Sequence, residues 1–172
     1  RVTYYIRAYA TNSAGTAYGE ELRYNGLTED INDFLPEEIL DEIKDLGLTI
    51  HTGTSPPNIE GVFSVIPLVL KNSNRADDYI GQRYADMRFK ISSQDNSKLT
   101  ADFESVELDF DGNVIGSSIG DDGYIAYLVG DESNFSLFIR VVSTRTTGES
   151  AELVYAYSGI IGEDSIESLH LV

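Results

Sequence analysis

Residues 59–172 are organised as eight runs rich in β-branched and aromatic side chains, covering 59–70, 79–91, 99–110, 114–119, 124–129, 135–142, 151–161 and 166–172. Turn chemistry separates most of them: Asp111-Gly112-Asn113, Asp121-Asp122-Gly123, Gly130-Asp131, Thr147-Gly148 and Gly162-Glu163-Asp164. Connections this short cannot carry the crossover that parallel neighbours require, so the pattern predicts an antiparallel meander. Eight meandering strands must manage two edges, by closing into a barrel or stacking as a sandwich. An up-and-down barrel fits the strand number and the connection lengths.

The phase within the runs assigns faces. Met87, Phe89 and Ile91 alternate with Asp86, Arg88 and Lys90, which predicts one wet side. In 99–110 the apolar positions run Leu99, Ala101, Phe103 and then Val106, Leu108, Phe110, a phase change that predicts a bulge near Ser105. On that reading Asp102 and Glu104 share a solvated face, as do Glu107 and Asp109 beyond the bulge. Runs 124–129 and 135–142 are apolar on both faces and are expected to be the most covered, beneath a helix.

That helix is legible upstream. Pro36 stands at a favoured first position, Glu37 and Glu38 complement the dipole, and Ile39, Leu40, Ile43 and Leu46 recur at helical spacing. The spacing predicts an amphipathic helix over about 36–46, ended by Gly47 with Leu48 folding back on Ile43. Thr28, Glu29 and Asp30 start a shorter turn around Ile31. Before them, residues 1–24 alternate as two strands around Asn12-Ser13-Ala14-Gly15 and predict a β-hairpin. The expected organisation is a hairpin at 1–24, a linker with its helix at 25–58, and an antiparallel β-barrel at 59–172. The fold class is mainly β. A chain that opens inside a strand reads as a piece of a longer polypeptide.

Charge excludes some partners. The formal net charge is −17, with residues 25–50 contributing −7 and residues 51–172 contributing −11. Such a balance repels phosphate backbones and anionic headgroups, so nucleic acid is not an expected partner. No run has the roughly 18 apolar residues of a membrane-spanning helix. The chain has no cysteine, which removes disulfides, thiolate metal sites and cysteine nucleophiles.

The hairpin wording, with Tyr5, Arg7, Tyr9, the Asn12-Ser13-Ala14-Gly15 turn and Tyr18-Gly19, resembles the last two strands of fibronectin type III-like modules. The resemblance implies a multi-domain exported protein, placed at the cell surface or in the periplasm of a Gram-negative bacterium, in which such modules act as spacers or adhesive beads. A lipidated cysteine, as in bacterial lipoproteins, would lie upstream. Gly61-Val62-Phe63, opening the first strand of an eight-stranded meander after a helical segment, is similar to the start of lipocalin-like (calycin) barrels, with Phe where that family has Trp. This implies a barrel whose floor is plugged by the aromatic ring.

Chemistry-bearing patterns are weighed against plainer readings. Gly116-Ser117-Ser118-Ile119-Gly120 satisfies G-x-S-x-G, but a nucleophile elbow turns from strand into helix, whereas another strand follows here. Asp109 to Asn113 and Asp121-Asp122-Gly123 invite calcium, yet lack EF-hand spacing and read better as hairpin turns. His51 and His170 stand alone in sequence, away from zinc spacing. Carboxylates at 102, 104, 107 and 109 could serve a glycosidase only with one in an apolar pocket, and strand alternation makes them an outer face. Tyrosine is the remaining signal, with eleven residues in the chain. Tyr124, Tyr127, Tyr155 and Tyr157 fall in the central strands, where an amphipathic ring suits a pocket wall; they are the candidate ligand-binding residues.

The expectation is a non-catalytic binding module holding a small hydrophobic or glycan-type ligand at the barrel mouth, with no cofactor and no metal. The alternative is a spacer or adhesion domain that meets a protein partner at the cell surface. A carboxylate- or serine-dependent hydrolase stands last.

Overall fold

The computed structural model describes residues 4–24, 26–120 and 125–172. Strands β1 (Tyr4–Asn12) and β2 (Gly15–Tyr24) form the expected hairpin, its turn closed by Asn12 Oδ1 accepting from the Ala14 amide at 2.8 Å. Tyr9 and Tyr18 face each other at 6.2 Å between ring centroids, and Arg7 pairs with Glu21 at 2.8 Å on the same face. Residues 4–21 are exposed throughout.

Helix α1 (Glu29–Phe34) is capped by Thr28, whose hydroxyl accepts from the Ile31 amide at 3.3 Å. Helix α2 (Glu37–Asp45) follows, with Pro36 at its N-cap rather than inside its first turn. It ends in paired bonds from the Gly47 amide to the Lys44 carbonyl (2.8 Å) and from the Leu48 amide to the Ile43 carbonyl (3.2 Å). Gly47 takes φ +97°, the left-handed conformation this ending demands. Among the described residues no helix is long and apolar enough to cross a membrane.

The eight expected runs become β3 (Gly61–Val65), β4 (Asp86–Asp95), β5 (Thr100–Leu108), β6 (Val114–Gly120), β7 (Ile125–Asp131), β8 (Asn134–Arg145), β9 (Ser150–Ile161) and β10 (Ile166–Leu171). All pair antiparallel in one sheet, in the order β10-β9-β8-β6-β5-β4-β3. The meander has one exception. β6 and β7 do not form a hairpin together; both lie between β5 and β8, end to end. Gly116 to Gly120 pair with the second half of β8, and Tyr127 to Asp131 pair with its first half. The twelve-residue β8 has room for both, so two runs share one position in the sheet. The turn chemistry at 121–123 lies outside the described residues.

The sheet curls. β4 and β9 are separated by three intervening positions, roughly 19 Å in a flat sheet at ~4.8 Å per step. Yet the Phe89 and Tyr157 rings approach to 5.3 Å, and the Tyr157 hydroxyl donates to Met87 Sδ at 3.5 Å. Phe103 completes the aromatic knot, 5.4 Å from Tyr157. This inner face also buries Ile91, Leu128, Phe135, Leu137, Ile139 and Val141. β3 pairs only with β4 and β10 only with β9, so a seam stands between these two edges.

A second apolar layer occupies the opposite face. Val129, Phe138 and Ala156 point away from the curl and meet Ile31, Leu35, Leu40, Ile43, Leu48 and Ile50. Burial of each large side chain stabilises by about 1.5–3 kcal/mol, which holds the short helices in place. The double coverage expected for β7 and β8 is therefore present. Residues 48–58 complete the attachment through the Gly53–Gly130 contact. The Gly130 amide donates to the Gly53 carbonyl at 3.2 Å, and a Cβ on Gly53 would fall 2.5 Å from the Gly130 oxygen.

The expected bulge near Ser105 is absent. β5 pairs with β4 in unbroken register from Asp102 to Leu108, so Ser105 follows Ala101 and Phe103 inward and is buried. The irregularities fall on its neighbours: the extra residues lie at Ser93–Gln94 in β4 and at Ile115 in β6. Consequently Leu108 faces outward beside Asp86, its register partner, and Glu107 faces inward opposite Met87. The apolar character of Val106 and Leu108 suits a partly covered outer face. Arg83 forks onto Asp86 with both contacts at 3.0 Å and lies 4.4 Å from the Phe110 ring centroid, closing over that region.

Candidate functional site

Between the edges of β3 and β10 lies a cavity of about 1210 Å³. One wall is residues 65–72, which leave β3 and return to β4 by way of residues 82–85. Backbone bonds from Leu70 to Gln82 (2.8 Å) and from Tyr84 to Leu68 (2.9 Å) make this excursion a flap. The facing wall is Leu169, Leu171 and Val172 at the end of β10. Leu46 and Leu48, placed by the end of α2, close one side. The flap is tied to α2 in turn, through Asn74 to Glu42 and Asn72 to the Asp45 carbonyl.

Toward the sheet, the cavity reaches Met87, Glu107, Ile115, Arg145 and Tyr155. Glu107 is placed there by the uninterrupted alternation of β5 and Arg145 by that of β8. Between them in register stands Gly116 of β6, pairing with Glu107 on one side and Arg145 on the other. With no side chain at the buried Gly116, the Glu107 carboxylate lies against the backbone there. Ser105, Ser118 and Ser143 continue this inner stripe across β5, β6 and β8, and Ser118 is register partner to both others. The inner face is therefore apolar and aromatic at depth and polar toward the seam.

Tyr155 sits at the change of character. Burial raises its phenol above the ordinary value and the Glu107 charge adds to this, while a hydrogen bond with Ser118 works the other way. Tyr157, one turn of alternation deeper, is pushed well above its ordinary value, first by burial and then by Tyr155.

The four tyrosines singled out by sequence are thus dispersed. Tyr155 lines the cavity. Tyr157 is 1% exposed within the aromatic knot. Tyr127 faces the opposite side, its ring 5.3 Å from Phe34 of α1, and Arg140 lies over that same Phe34 ring at 5.4 Å. Tyr124 lies outside the described residues. Glu107 and Arg145 complete the site: Arg145 carried no mark in sequence, and Glu107 was read only as part of an outer carboxylate row, because the expected bulge turned it outward. An unbroken two-residue phase from Ala101 through Phe103 and Ser105 would have found it.

The other motifs are placed plainly. Ser118 is in the middle of β6, buried, away from any strand-to-helix turn. Asp109 spends its carboxylate on its own turn, accepting from the amides of Asp111 (2.9 Å) and Asn113 (2.8 Å) and from Asn113 Nδ2 (2.9 Å). Among the described residues no group of three or more His, Cys, Asp or Glu is arranged to hold a metal ion. Glu104 is outward and pairs with Lys90 at 2.7 Å. Phe63, the aromatic residue of the Gly61-Val62-Phe63 opening, packs 5.4 Å from Phe89 on the inner face.

No protein-family description matches this chain, and no curated protein or solved structure is detectably similar to it.

Proposed function

We propose that residues 59–172 form a lipocalin-like barrel, open at one seam, that acts as a non-catalytic binding module for a small, largely apolar ligand. The observation that carries this reading is the cavity of about 1210 Å³ between β3 and β10, large enough for a ligand of modest size. Its walls supply aliphatic surface from Val65, Leu68, Leu169 and Leu171, and a few convergent polar groups from Glu107, Tyr155 and Arg145. That ratio of apolar wall to polar anchor is the usual composition of a small-molecule site. The depth of the curl is filled by Phe89, Phe103 and Tyr157, so the ligand belongs at the seam and not along the whole axis. The fibronectin-like hairpin supports placing the module in an exported surface protein, where capture of a ligand would occur outside the cytoplasm.

The test is titration with the neutral fluorophore N-phenyl-1-naphthylamine. Saturable one-to-one binding is expected, and Leu169→Trp, which fills the cavity from one wall, should abolish it while the chain stays folded by circular dichroism. Absence of saturable binding, or binding that Leu169→Trp leaves intact, would return the domain to the spacer or adhesion reading.

A further inference from the structure

The cavity is not electrically neutral in its demands. Glu107 is the carboxylate among its lining residues, half-buried on the inner face between Met87 of β4 and Gly116 of β6. No hydrogen bond or ion pair within the described residues engages that carboxylate. Partial loss of water without a compensating partner is costly for a charge, so this group gains most from a cation brought by a ligand. The basic side chains on the lining, Lys71, Arg145 and His170, are all exposed, so water already solvates them and they have far less to gain. The net charge of −17 also favours cations over anions as partners of the chain as a whole.

We propose, resting on the cavity reading above, that the ligand is an amphipathic cation. Its ammonium head sits on the Glu107 carboxylate, on the side of the cavity that Tyr155 also lines. Its apolar body lies along Val65, Leu68, Leu169 and Leu171.

Decylamine, 1-decanol and decanoate, each below its aggregation threshold, test this by displacement of N-phenyl-1-naphthylamine from the 172-residue chain at pH 7. Decylamine is expected to bind about ten-fold tighter than decanol, the scale of one partly desolvated ion pair, with decanoate weakest. Glu107→Gln should erase the gap between decylamine and decanol while circular dichroism shows the variant folded. Equal affinity for amine and alcohol would overturn the cationic assignment while leaving the cavity reading standing. Decanoate as the tightest probe would overturn it in favour of Arg145 as anchor. Failure of all three to displace the fluorophore would remove both readings.

Discussion

Gly116 stands opposite Glu107 across the β5–β6 pairing, and a methyl group at position 116 would lie 3.4 Å from Glu107 Oε2. The next nearest atom, the Thr144 carbonyl oxygen, is at 3.5 Å. Both are ordinary contacts, and the nearer one is the movable end of a flexible side chain. Glycine at this strand position is therefore not demanded by packing. Gly116→Ala is expected to keep stability or raise it by up to about 0.5–1 kcal/mol, as loss of a strand glycine does. Gly116→Val should weaken probe binding, because a branched side chain at this buried position displaces the Glu107 carboxylate that lies against it. Urea unfolding and fluorophore titration on the same two variants check both halves.

Arg83 and Asp86 fasten the flap. The Asp86 side chain is 10% exposed and that of Arg83 46%, so the pair is screened on one side only. Asp86→Asn is expected to cost about 1–2 kcal/mol, below the value for a fully buried charged hydrogen bond. The distinctive readout is local: amide exchange at Leu70, Gly81 and Tyr84, whose bonds hold the excursion together, should accelerate more than exchange in β8. Uniform acceleration would mean that the pair supports the sheet as a whole and does not act as a flap latch.

Phe138 is fully buried on the outer face, beneath the helices. Phe138→Ala is expected to cost about 3–5 kcal/mol, because short helices cannot follow the retreating surface without losing their own contacts. Loss of helical ellipticity ahead of the sheet signal in thermal melts would locate the damage at that layer. Ile139, its sequence neighbour on the opposite face, should give a comparable loss on truncation without that helix-first signature.

Asp95 supplies a pH signature. Hydrogen bonds from Ser97 first, then from Lys98, hold its carboxyl at about 2 against an ordinary 3.8. A depressed acid favours the folded state above its unfolded value, and that contribution fades as pH falls through the folded one. The Asp95 share of stability should thus be whole above about pH 4 and gone near pH 2. Asp95→Asn should show a shallower loss of melting temperature across this window than the parent, with the two curves converging at its acid end.

Strand number, the two helices, the Gly47 ending of α2 and the two-faced coverage of β7 and β8 were legible because local signals carry them: turn residues, a dipole-matched helix start, and apolar positions at both parities. Two things were not. Antiparallel neighbours were read from short connections, yet β6 and β7 share one place in the sheet, and only the length of β8 and its two partners reveals that. The phase change in 99–110 was assigned to a bulge in its own strand, whereas the extra residues sit in β4 and β6. A strand with apolar residues at both parities is equally explained by a bulge or by two covered faces, and the choice depends on what packs outside. Here Leu108 is buried on the outer side opposite Asp86, which Arg83 holds, and Glu107 points inward. The tyrosines scatter for the same reason: parity separates Tyr127 from Tyr155, and depth separates Tyr155 from Tyr157.

Tyr157 gives the alkaline counterpart of Asp95. Its hydroxyl bonds the Met87 sulfur at 3.5 Å, its one partner among the described residues, and burial pushes its ionisation well above the ordinary value of 10. The folded state therefore keeps its proton where the unfolded chain would release one. Stability from this group is whole below about pH 10 and declines as pH rises beyond it, since the unfolded state then binds fewer protons than the native state. Tyr157→Phe removes that decline at the loss of one weak bond to sulfur, so it should be within about 1 kcal/mol of the parent at pH 7. The comparison that checks this is the midpoint of alkaline unfolding, which should move upward in Tyr157→Phe. A midpoint that stays in place or moves down would show that Tyr157 does not remain protonated in the folded core.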